Sequence, residues 1–256
     1  MHDQAQKAPL LTSFGTDASA VVIGASGGIG GALTDALRSC PRFGTVHGLA
    51  RSLPDSQCKH GTELRLDLTD EASIAAAAAR LAAEAAPLDL IIVATGILHD
   101  GDTLKPEKSW RALDGATMAQ AFQINTIGPA LIAKHMLPLL AEDRKAAFAV
   151  LSARVGSIGD NQLGGWHSYR ASKAALNMII RTLSIELTRR NPSALCVGLH
   201  PGTVDTALSE PFQGGVPAGT LVTPATAAGN LLTVLDRLNP ADTGKVFAWD
   251  GGPIAP

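Results

Sequence analysis

The amino-acid sequence predicts a single-domain α/β fold in which a doubly wound parallel sheet of about seven strands carries helices on both faces. Short apolar runs alternate with longer helical segments along almost the whole chain, an order that builds parallel sheets. The run over 88–96 is continuously apolar, as in a central strand buried on both faces. No internal repeat or linker-like break divides the 256 residues, which suits one domain.

Seven strands and five helices are predicted, in alternation. The strands cover 19–26, 44–51, 62–68, 88–96, 146–152, 194–202 and 244–251. The helices cover 28–39, 70–86, 114–140, 168–190 and 224–238, and the second of these is predicted from its many alanines. Residues 1–18 form a polar N-terminal extension that we expect to be partly disordered, and 19–256 form the domain.

Composition and charge exclude several classes of function. A formal net charge of −2 disfavours nucleic acid or an anionic membrane surface as the main partner, and no apolar run reaches the roughly 20 residues of a bilayer span. The N-terminus lacks the features of a secretory signal. Cys40, Cys58 and Cys196 are far apart and the seven histidines form no ligand spacing, so we expect reduced thiols, no metal and a cytoplasmic location.

A glycine-rich loop follows the first predicted strand. The stretch "VVIGASGGIGGAL" places Gly24, Gly28 and Gly30, with Ser26 and Ile29 between them, where a helix opens. Glycine permits the tight turn and a close approach of a pyrophosphate, while the helix N-terminus offers free N–H groups to its charge. Glycine clusters also occur in plain turns, but the strand–loop–helix order predicts a Rossmann-type dinucleotide site.

The end of the second strand bears on which dinucleotide binds. An NAD site usually has an acidic residue there, but this chain has Arg51 and Ser52 and no carboxylate until Asp55. A guanidinium fits a 2′-phosphate through charge-assisted hydrogen bonds, so NADP(H) is predicted over NAD(H). NAD(H) stays possible, because Arg51 is equally compatible with an ordinary solvated arginine.

The chain's only tyrosine, Tyr169, stands four residues before Lys173 in a predicted helix, so both side chains share one face. An ammonium beside a phenol lowers the phenol's pKa. Such a tyrosine exchanges a proton with a carbonyl or alcohol oxygen while a nicotinamide moves hydride. A buried tyrosine beside a solvated lysine is the usual meaning of this spacing, but the glycine loop favours the catalytic interpretation.

These motifs together resemble the short-chain dehydrogenase/reductase (SDR) family. "GASGGIG", "LDL" at 66–68, "INTIG" at 124–128, "YRASK" and "HPGTVDT" at 200–206 follow that family's order over residues 19–251. "LSARVGSIGDNQLGG" and "PGTVDTALSEPF" look similar to its C-factor-like branch. The resemblance implies an oxidoreductase that transfers hydride between NAD(P) and a carbonyl or secondary alcohol of a small molecule.

The resemblance also implies roles for individual residues. Asn125 would hold a water of the proton relay, and Lys173 would bind the nicotinamide ribose. Asp67 and Leu68 would flank the adenine, and the loop 207–221 would cover the substrate. The residues implied at the nicotinamide end are Pro201, Gly202, Val204 and Thr206. Without the family, Asn125 would be only a polar helix residue. A homodimer or homotetramer formed through the helices at 114–140 and 168–190 is implied as well.

The sequence departs from the family pattern at the catalytic serine. The family's serine stands three residues before the glycine matched by Gly156, and that position is Ala153 here. Ser152 is the nearest substitute, but a one-residue offset on a strand sends its side chain to the opposite face. Ser157 is a second substitute. After the fourth strand, "VATG" replaces the family's asparagines, so that Thr95 and Gly96 would approach the cofactor.

Three hypotheses for function follow. The leading one is an NADP-preferring oxidoreductase with Tyr169 as acid/base, Lys173 as its partner and Asn125 as relay anchor, with activity weakened at Ala153. The rival is a nucleotide-binding signalling or regulatory protein with little or no catalysis, which Ala153 and the C-factor-like sequence favour. Epimerase or dehydratase chemistry on the same fold is a third and weaker hypothesis.

Overall fold

A computed structural model describes residues 11–52, 56–58, 61–84, 87–101, 103–215, 217 and 219–256. The strands are β1 (Ala18–Ile23), β2 (Phe43–Ala50), β3 (Ser56–Cys58), β4 (Gly61–Arg65), β5 (Leu90–Val93), β6 (Ala147–Leu151), β7 (Leu195–His200), β8 (Thr203–Val204), β9 (Leu221–Val222), β10 (Val246–Ala248) and β11 (Pro253–Ile254). The helices are α1 (Gly28–Arg38), α2 (Glu71–Glu84), α3 (Gly115–Phe122), α4 (Gly128–Met136), α5 (His167–Arg190) and α6 (Pro224–Arg237).

The main sheet has the strand order β11-β10-β7-β6-β5-β1-β2-β4-β3. Seven neighbouring strands, from β10 to β4, are parallel to one another. The two edge strands, β3 and β11, pair antiparallel to them. The predicted fold class is confirmed: the seven predicted strands are the parallel ones, and the two short edge strands were not predicted.

The order in which strands are added to the sheet reverses at β1: β2 and β4 lie on one side of it, and β5, β6, β7 and β10 lie on the other. Ile23, the last residue of β1, pairs with Leu49 of β2 on one side and Val93 of β5 on the other. The carboxyl ends of these three strands are therefore level. Ligands of open parallel sheets bind beyond the carboxyl ends at such a reversal, so this edge is the place to look for a site.

Two apolar layers hold helices on the two faces of the sheet. Consecutive strand residues point to opposite faces, so Val22 belongs to the layer under α1 and α6, and Val21 belongs to the layer under α2, α4 and α5. Ile92 and Ile91 of β5 divide in the same way, and all four side chains are fully buried. Burial on both faces explains why these strands are continuously apolar.

The predicted N-terminal extension lies partly within the domain. Residues 1–10 fall outside the described residues. Leu11 and Phe14, in contrast, are buried, and the Phe14 ring lies 5.7 Å from that of Phe43. Lys145 donates to Ser13 Oγ and to three carbonyls at the end of α6, at 2.7–3.2 Å. The domain therefore begins before residue 19, because two large apolar side chains in 11–17 complete its core.

The helix predicted over 114–140 is divided. It begins after Asp114, whose carboxylate accepts from Thr117 N at 2.8 Å as an N-cap. The regular α-helical bonding of α3 gives way to a π-helical turn at Gln123–Ile127 before α4 continues. Such turns occur often at functional sites. Here the turn carries Asn125, one of the residues singled out in the sequence.

Candidate active site

Two adjoining pockets open at the carboxyl edge of β1, β2 and β5, with volumes of about 450 and 250 Å³. They share Gly27, Ala94, Thr95 and Gly96 and so form one extended cleft. Of the predicted residues, the larger pocket contains Gly24, Ser26, Arg51, Ser52, Asp67, Leu68, Thr95 and Gly96. The smaller pocket contains Gly28, Ile29, Ser152, Tyr169, Lys173, Pro201 and Thr206, again with Thr95 and Gly96.

Four predicted residues lie outside both pocket linings. Gly30 packs under the loop, since a Cβ there would lie 2.0 Å from the carbonyl oxygen of Gly24. Gly202 stands against the Trp249 ring. Val204 is buried, and its carbonyl accepts from the Ser209 hydroxyl at 2.5 Å. Asn125 is buried behind Gly96.

The glycine loop has the geometry of a phosphate cradle. Gly24 has φ of +91°, a conformation that L side chains rarely adopt, and Gly30 leaves no room for a side chain above it. Helix α1 begins without a side-chain cap at Gly27 and without an acidic residue in its first turn. The N–H groups and positive dipole end of α1 are therefore open to an anion.

Thr95 offers a second observation that fits a nucleotide. It lines both pockets, and its Oγ1 is buried without a hydrogen-bond partner among the described residues. Buried hydroxyls are normally paired, so this atom is suited to a polar group of a ligand. The glycine cradle and this hydroxyl together fit a bound dinucleotide.

The far end of the larger pocket carries the predicted adenosine-binding residues. Arg51 and Ser52 are exposed directly after β2. Asp67 accepts from the backbone N–H and the hydroxyl of Thr69 at 2.9 and 2.7 Å, and these bonds hold the pKa of its carboxyl below the ordinary value. An ionised acceptor and an exposed guanidinium thus line one pocket, at the ends of the neighbouring strands β2 and β4.

Tyr169 and Lys173 lie one turn apart on α5 and face the smaller pocket. Lys173 is 3% exposed, and its Nζ donates to the carbonyl of Leu151 at 2.8 Å and lies 5.9 Å from the centre of the Tyr169 ring. Burial lowers the pKa of Lys173 to about 8 and raises that of Tyr169 to about 12. The expected lowering of the phenol pKa is therefore absent, because burial outweighs an ammonium that is directed at Leu151.

Asn125 is held rigidly next to this pair. Its Oδ1 accepts from Ile97 N at 2.8 Å, while its Nδ2 donates to the carbonyl of Ile97 at 2.9 Å and to Ser172 Oγ at 3.1 Å. These bonds tie the π-helical turn to the loop after β5 and to α5. Asn125 therefore fixes the distance between the floor of the cleft and the helix that carries Tyr169.

Ser152 and Ser157, the two predicted substitutes for the missing serine hydroxyl, both make hydrogen bonds within the protein. Ser152 is 4% exposed, and its Oγ donates to Asn177 Oδ1 on α5 at 2.6 Å, so its single proton is already used. Ser157 Oγ is committed to the carbonyl of Pro256 and the N–H of Asp160. Ala153 stands in extended backbone at the position itself. Both hydroxyls are thus engaged within the protein, although Ser152 also lines the smaller pocket.

Three aromatic side chains beside Tyr169 were missed in the sequence. The Trp166 ring lies 6.3 Å from that of Tyr169, the Phe212 ring lies 5.1 Å from that of Trp166, and His99 lies 5.7 Å from Phe212. The pair of glycines before Trp166 in "GGW" was the available sign of unusual backbone, but Phe212 and His99 come from distant loops. Only the fold brings them together.

Two classes of site find no support in the described part of the chain. No group of three or more His, Cys, Asp or Glu side chains there could hold a metal ion. None of its helices has the length and apolar character needed to cross a membrane.

Comparison with known proteins agrees with this geometry. The short chain dehydrogenase family model matches residues 18–215. A 1-hydroxy-2-glutathionyl-2-methyl-3-butene dehydrogenase of Rhodococcus sp. (strain AD45) is 34% identical over 186 residues, 73% of this chain and 76% of that protein. C-signal of Myxococcus xanthus is 39% identical over 148 residues, 57% of this chain and 84% of that protein.

A solved structure shows the same architecture over nearly the whole length. The NADPH-bound carbonyl reductase from chicken fatty liver superposes with a TM-score of 0.80 at 29% identity, covering 94% of this chain and 95% of that one. The family model and the Rhodococcus dehydrogenase each match most of this chain. The chain therefore belongs to the short-chain dehydrogenase/reductase family of oxidoreductases.

Proposed function

We propose that this protein is an NADP(H)-dependent oxidoreductase that reduces a carbonyl group, or oxidises the corresponding secondary alcohol, of a small and fairly apolar molecule. One observation carries the proposal: Tyr169 and Lys173 line the same pocket as Gly28 and Ile29 of the glycine loop. A dinucleotide held by the loop would bring its reactive ring into the pocket that contains the phenol. The bound cofactor would supply or accept the hydride.

The chain's own residues would handle the proton and the orientation. With a pKa of about 12, the phenol of Tyr169 carries its proton at neutral pH. It would donate that proton to a carbonyl oxygen as negative charge develops there during hydride transfer. Lys173, charged at neutral pH, would bind the ribose and stabilise the phenolate that donation leaves. Asn125 would anchor the water that returns the proton.

Two observations support NADP(H) over NAD(H). Arg51 is exposed in the adenosine pocket, where a 2′-phosphate would meet its guanidinium, and Ser52 beside it offers a hydroxyl. The chicken carbonyl reductase is described as NADPH-bound. Asp67 and Leu68, which line the same pocket, would flank the adenine.

A second candidate function is a nucleotide-binding regulatory protein with weak catalysis. The observation that favours it is Ala153, since the hydroxyls of Ser152 and Ser157 donate to Asn177 and to the carbonyl of Pro256. The relative named C-signal, a signalling name, is matched over 84% of its own length. The two functions share a cofactor site and differ only in turnover.

We also propose that the chain forms a homodimer or homotetramer through the helical segments at 114–140 and 168–190, which are α3 with α4, and α5. On α5, Met178 and Ile185 are 66% and 46% exposed. Leu183 on the same helix packs against the core. Met178 and Ile185 are therefore the exposed large apolar side chains of α5 that such an interface would cover.

The experiment that tests the proposed function is Tyr169→Phe, which removes one hydroxyl and keeps the ring. With NADPH and a panel of aldehydes and ketones, we expect turnover to fall by about a hundredfold or more, as for loss of a general acid. The dissociation constant for NADPH, measured by cofactor fluorescence, should stay within about threefold because the hydroxyl adds little ground-state binding. Residual turnover above a tenth of the wild-type value contradicts the assigned role.

A further inference from the structure

A tryptophan stands in left-handed backbone directly before α5. Gly164, Gly165 and Trp166 have successive φ values of +65°, +64° and +51°. Glycine adopts this conformation freely, but a residue with a bulky side chain is strained in it. Strain of this kind persists only where surrounding contacts hold it, and it concentrates at functional sites.

Glu107 supplies the contacts that hold Trp166. Its backbone carbonyl accepts from Trp166 N at 2.5 Å. Its carboxylate accepts from Ser168 N at 3.1 and 3.3 Å and from the Ser168 hydroxyl. Glu107 is 4% exposed, and its buried carboxyl group caps α5 in place of the side-chain cap that Trp166 cannot provide. The tryptophan is thereby fixed from both sides.

The indole of Trp166 lies in a row of three aromatic side chains, Trp166, Phe212 and His99, which we call the aromatic wall. Trp166 meets Tyr169 at an interplanar angle of 75° and Phe212 at 59°. Phe212 lies in the turn Glu210–Gly215, within the loop predicted to cover the substrate. His99 Nε2 lies 2.9 Å from the carbonyl oxygen of Ala207, so the wall joins this loop to the loop after β5.

We propose that Trp166 is a specificity-determining residue, and that the aromatic wall favours substrates whose carbonyl carries a flat, unsaturated ring. Aromatic rings attract one another at centroid separations of 4.5–7 Å beyond the effect of buried area. The strained backbone places the indole within this range of Tyr169, where the substrate carbonyl would accept its proton. A saturated ring of equal size has no π face to offer. This inference rests on the proposed function of the same site.

The test compares two matched aldehydes, benzaldehyde and cyclohexanecarbaldehyde, with NADPH. Trp166→Gly removes the indole but suits the left-handed backbone, so it should preserve the fold, and Trp166→Phe keeps an aromatic ring. Trp110, which is 64% exposed, provides the control Trp110→Gly. The ratio of kcat/KM for benzaldehyde to that for cyclohexanecarbaldehyde should fall about tenfold in Trp166→Gly, stay within about threefold of wild type in Trp166→Phe, and remain unchanged in the control.

The outcomes separate the two proposals. An unchanged ratio in Trp166→Gly, including an equal fall for both aldehydes, overturns the specificity role. If the wild type oxidises no NADPH with either aldehyde, the proposed function fails. The wall is then judged by calorimetric binding of benzamide and cyclohexanecarboxamide to the NADP-saturated protein. Preferential benzamide binding that disappears in Trp166→Gly upholds the inference, and equal or absent binding overturns it.

Discussion

Lys173 and Asn125 reach the same glycine from two different helical segments: a Cβ added at Gly96 would lie 3.5 Å from Lys173 Nζ and 3.4 Å from Asn125 Oδ1. Gly96 also lines both pockets of the cleft. The two polar groups therefore lie on the side of Gly96 from which a side chain would project, and glycine leaves that space open. This arrangement lets a ligand approach the ammonium closely.

Gly96→Ala tests this arrangement. The two distances are ordinary van der Waals contacts, so the variant should unfold at nearly the wild-type temperature. The added methyl group should nevertheless raise the dissociation constant for NADPH about tenfold, because it stands where the ribose would approach Lys173. Cofactor fluorescence titration measures the change, and Gly115→Ala, where a Cβ meets nothing within 4 Å, is the control. Equal NADPH affinity in both variants would contradict the proposed cofactor position.

Ala153→Ser restores the hydroxyl that the family pattern has at this position. A preorganised donor to a developing oxyanion lowers the barrier by about 3 kcal/mol in the best cases, so kcat should rise at least about tenfold. Ala171→Ser, on the exposed side of α5, adds the same atom elsewhere and should leave kcat unchanged. Steady-state kinetics with NADPH measure both. Activity that appears only in Ala153→Ser would support the regulatory function, and no change in either would show that the missing hydroxyl does not limit turnover.

Arg51→Ala tests the cofactor preference. Loss of a charge-assisted hydrogen bond to the 2′-phosphate should weaken NADPH binding about ten- to hundredfold. NADH has no 2′-phosphate, so its dissociation constant should change by less than about twofold. The exposed Arg189, on the last turn of α5, gives the control Arg189→Ala. Equal weakening of NADPH and NADH, or tighter NADH binding by the wild type, would refute the preference.

The fold was predictable because it leaves local patterns in the sequence. Parts of the site were not predictable, because they depend on contacts between distant residues. The central parallel strands β1, β5, β6 and β7 are buried on both faces and leave largely apolar runs in the sequence. The spacing of Tyr169 and Lys173 follows from one helical turn. The divided helix around Asn125, the capping of α5 by Glu107 across 61 residues, and the meeting of Trp166 with Phe212 depend on tertiary contacts. The phenol pKa was mispredicted for the same reason, since burial is a property of the fold.

Lys145→Met should destabilise the domain by about 2 kcal/mol, because it leaves polar acceptors without their donor. Lys145 Nζ donates to the carbonyls of Leu235, Asp236 and Leu238 and stands 5.0 Å from the Phe14 ring. Urea unfolding measures the change. Lys245→Met, which removes an exposed ion pair with Asp242, is the control and should cost less than about 1 kcal/mol. Equal losses would mean that Lys145 does not anchor residues 11–17.

Lys173→Met should change how the stability of the protein depends on pH. In wild type the pKa of Lys173 is about 8 in the folded state, against an ordinary value of 10.5 in the unfolded chain. Between these values the unfolded state binds more protons, so this group makes the free energy of unfolding rise with pH, by about 3 kcal/mol in total. Below pH 8 the Lys173 amine is charged in both the folded and the unfolded state, so the full free-energy cost of burying the ammonium remains.

Two other groups act in the opposite direction in wild type and variant alike. The pKa values of Tyr169 and Cys196 are raised to about 12 by burial, from 10.0 and 9.0, so both make stability fall above pH 9. The difference in free energy of unfolding between wild type and Lys173→Met therefore isolates the lysine. Urea titrations at pH 7 and at pH 9 to 10 should show this difference shifting in favour of wild type as the pH rises. A difference that stays constant over this range would mean that Lys173 is not a buried, readily deprotonated amine.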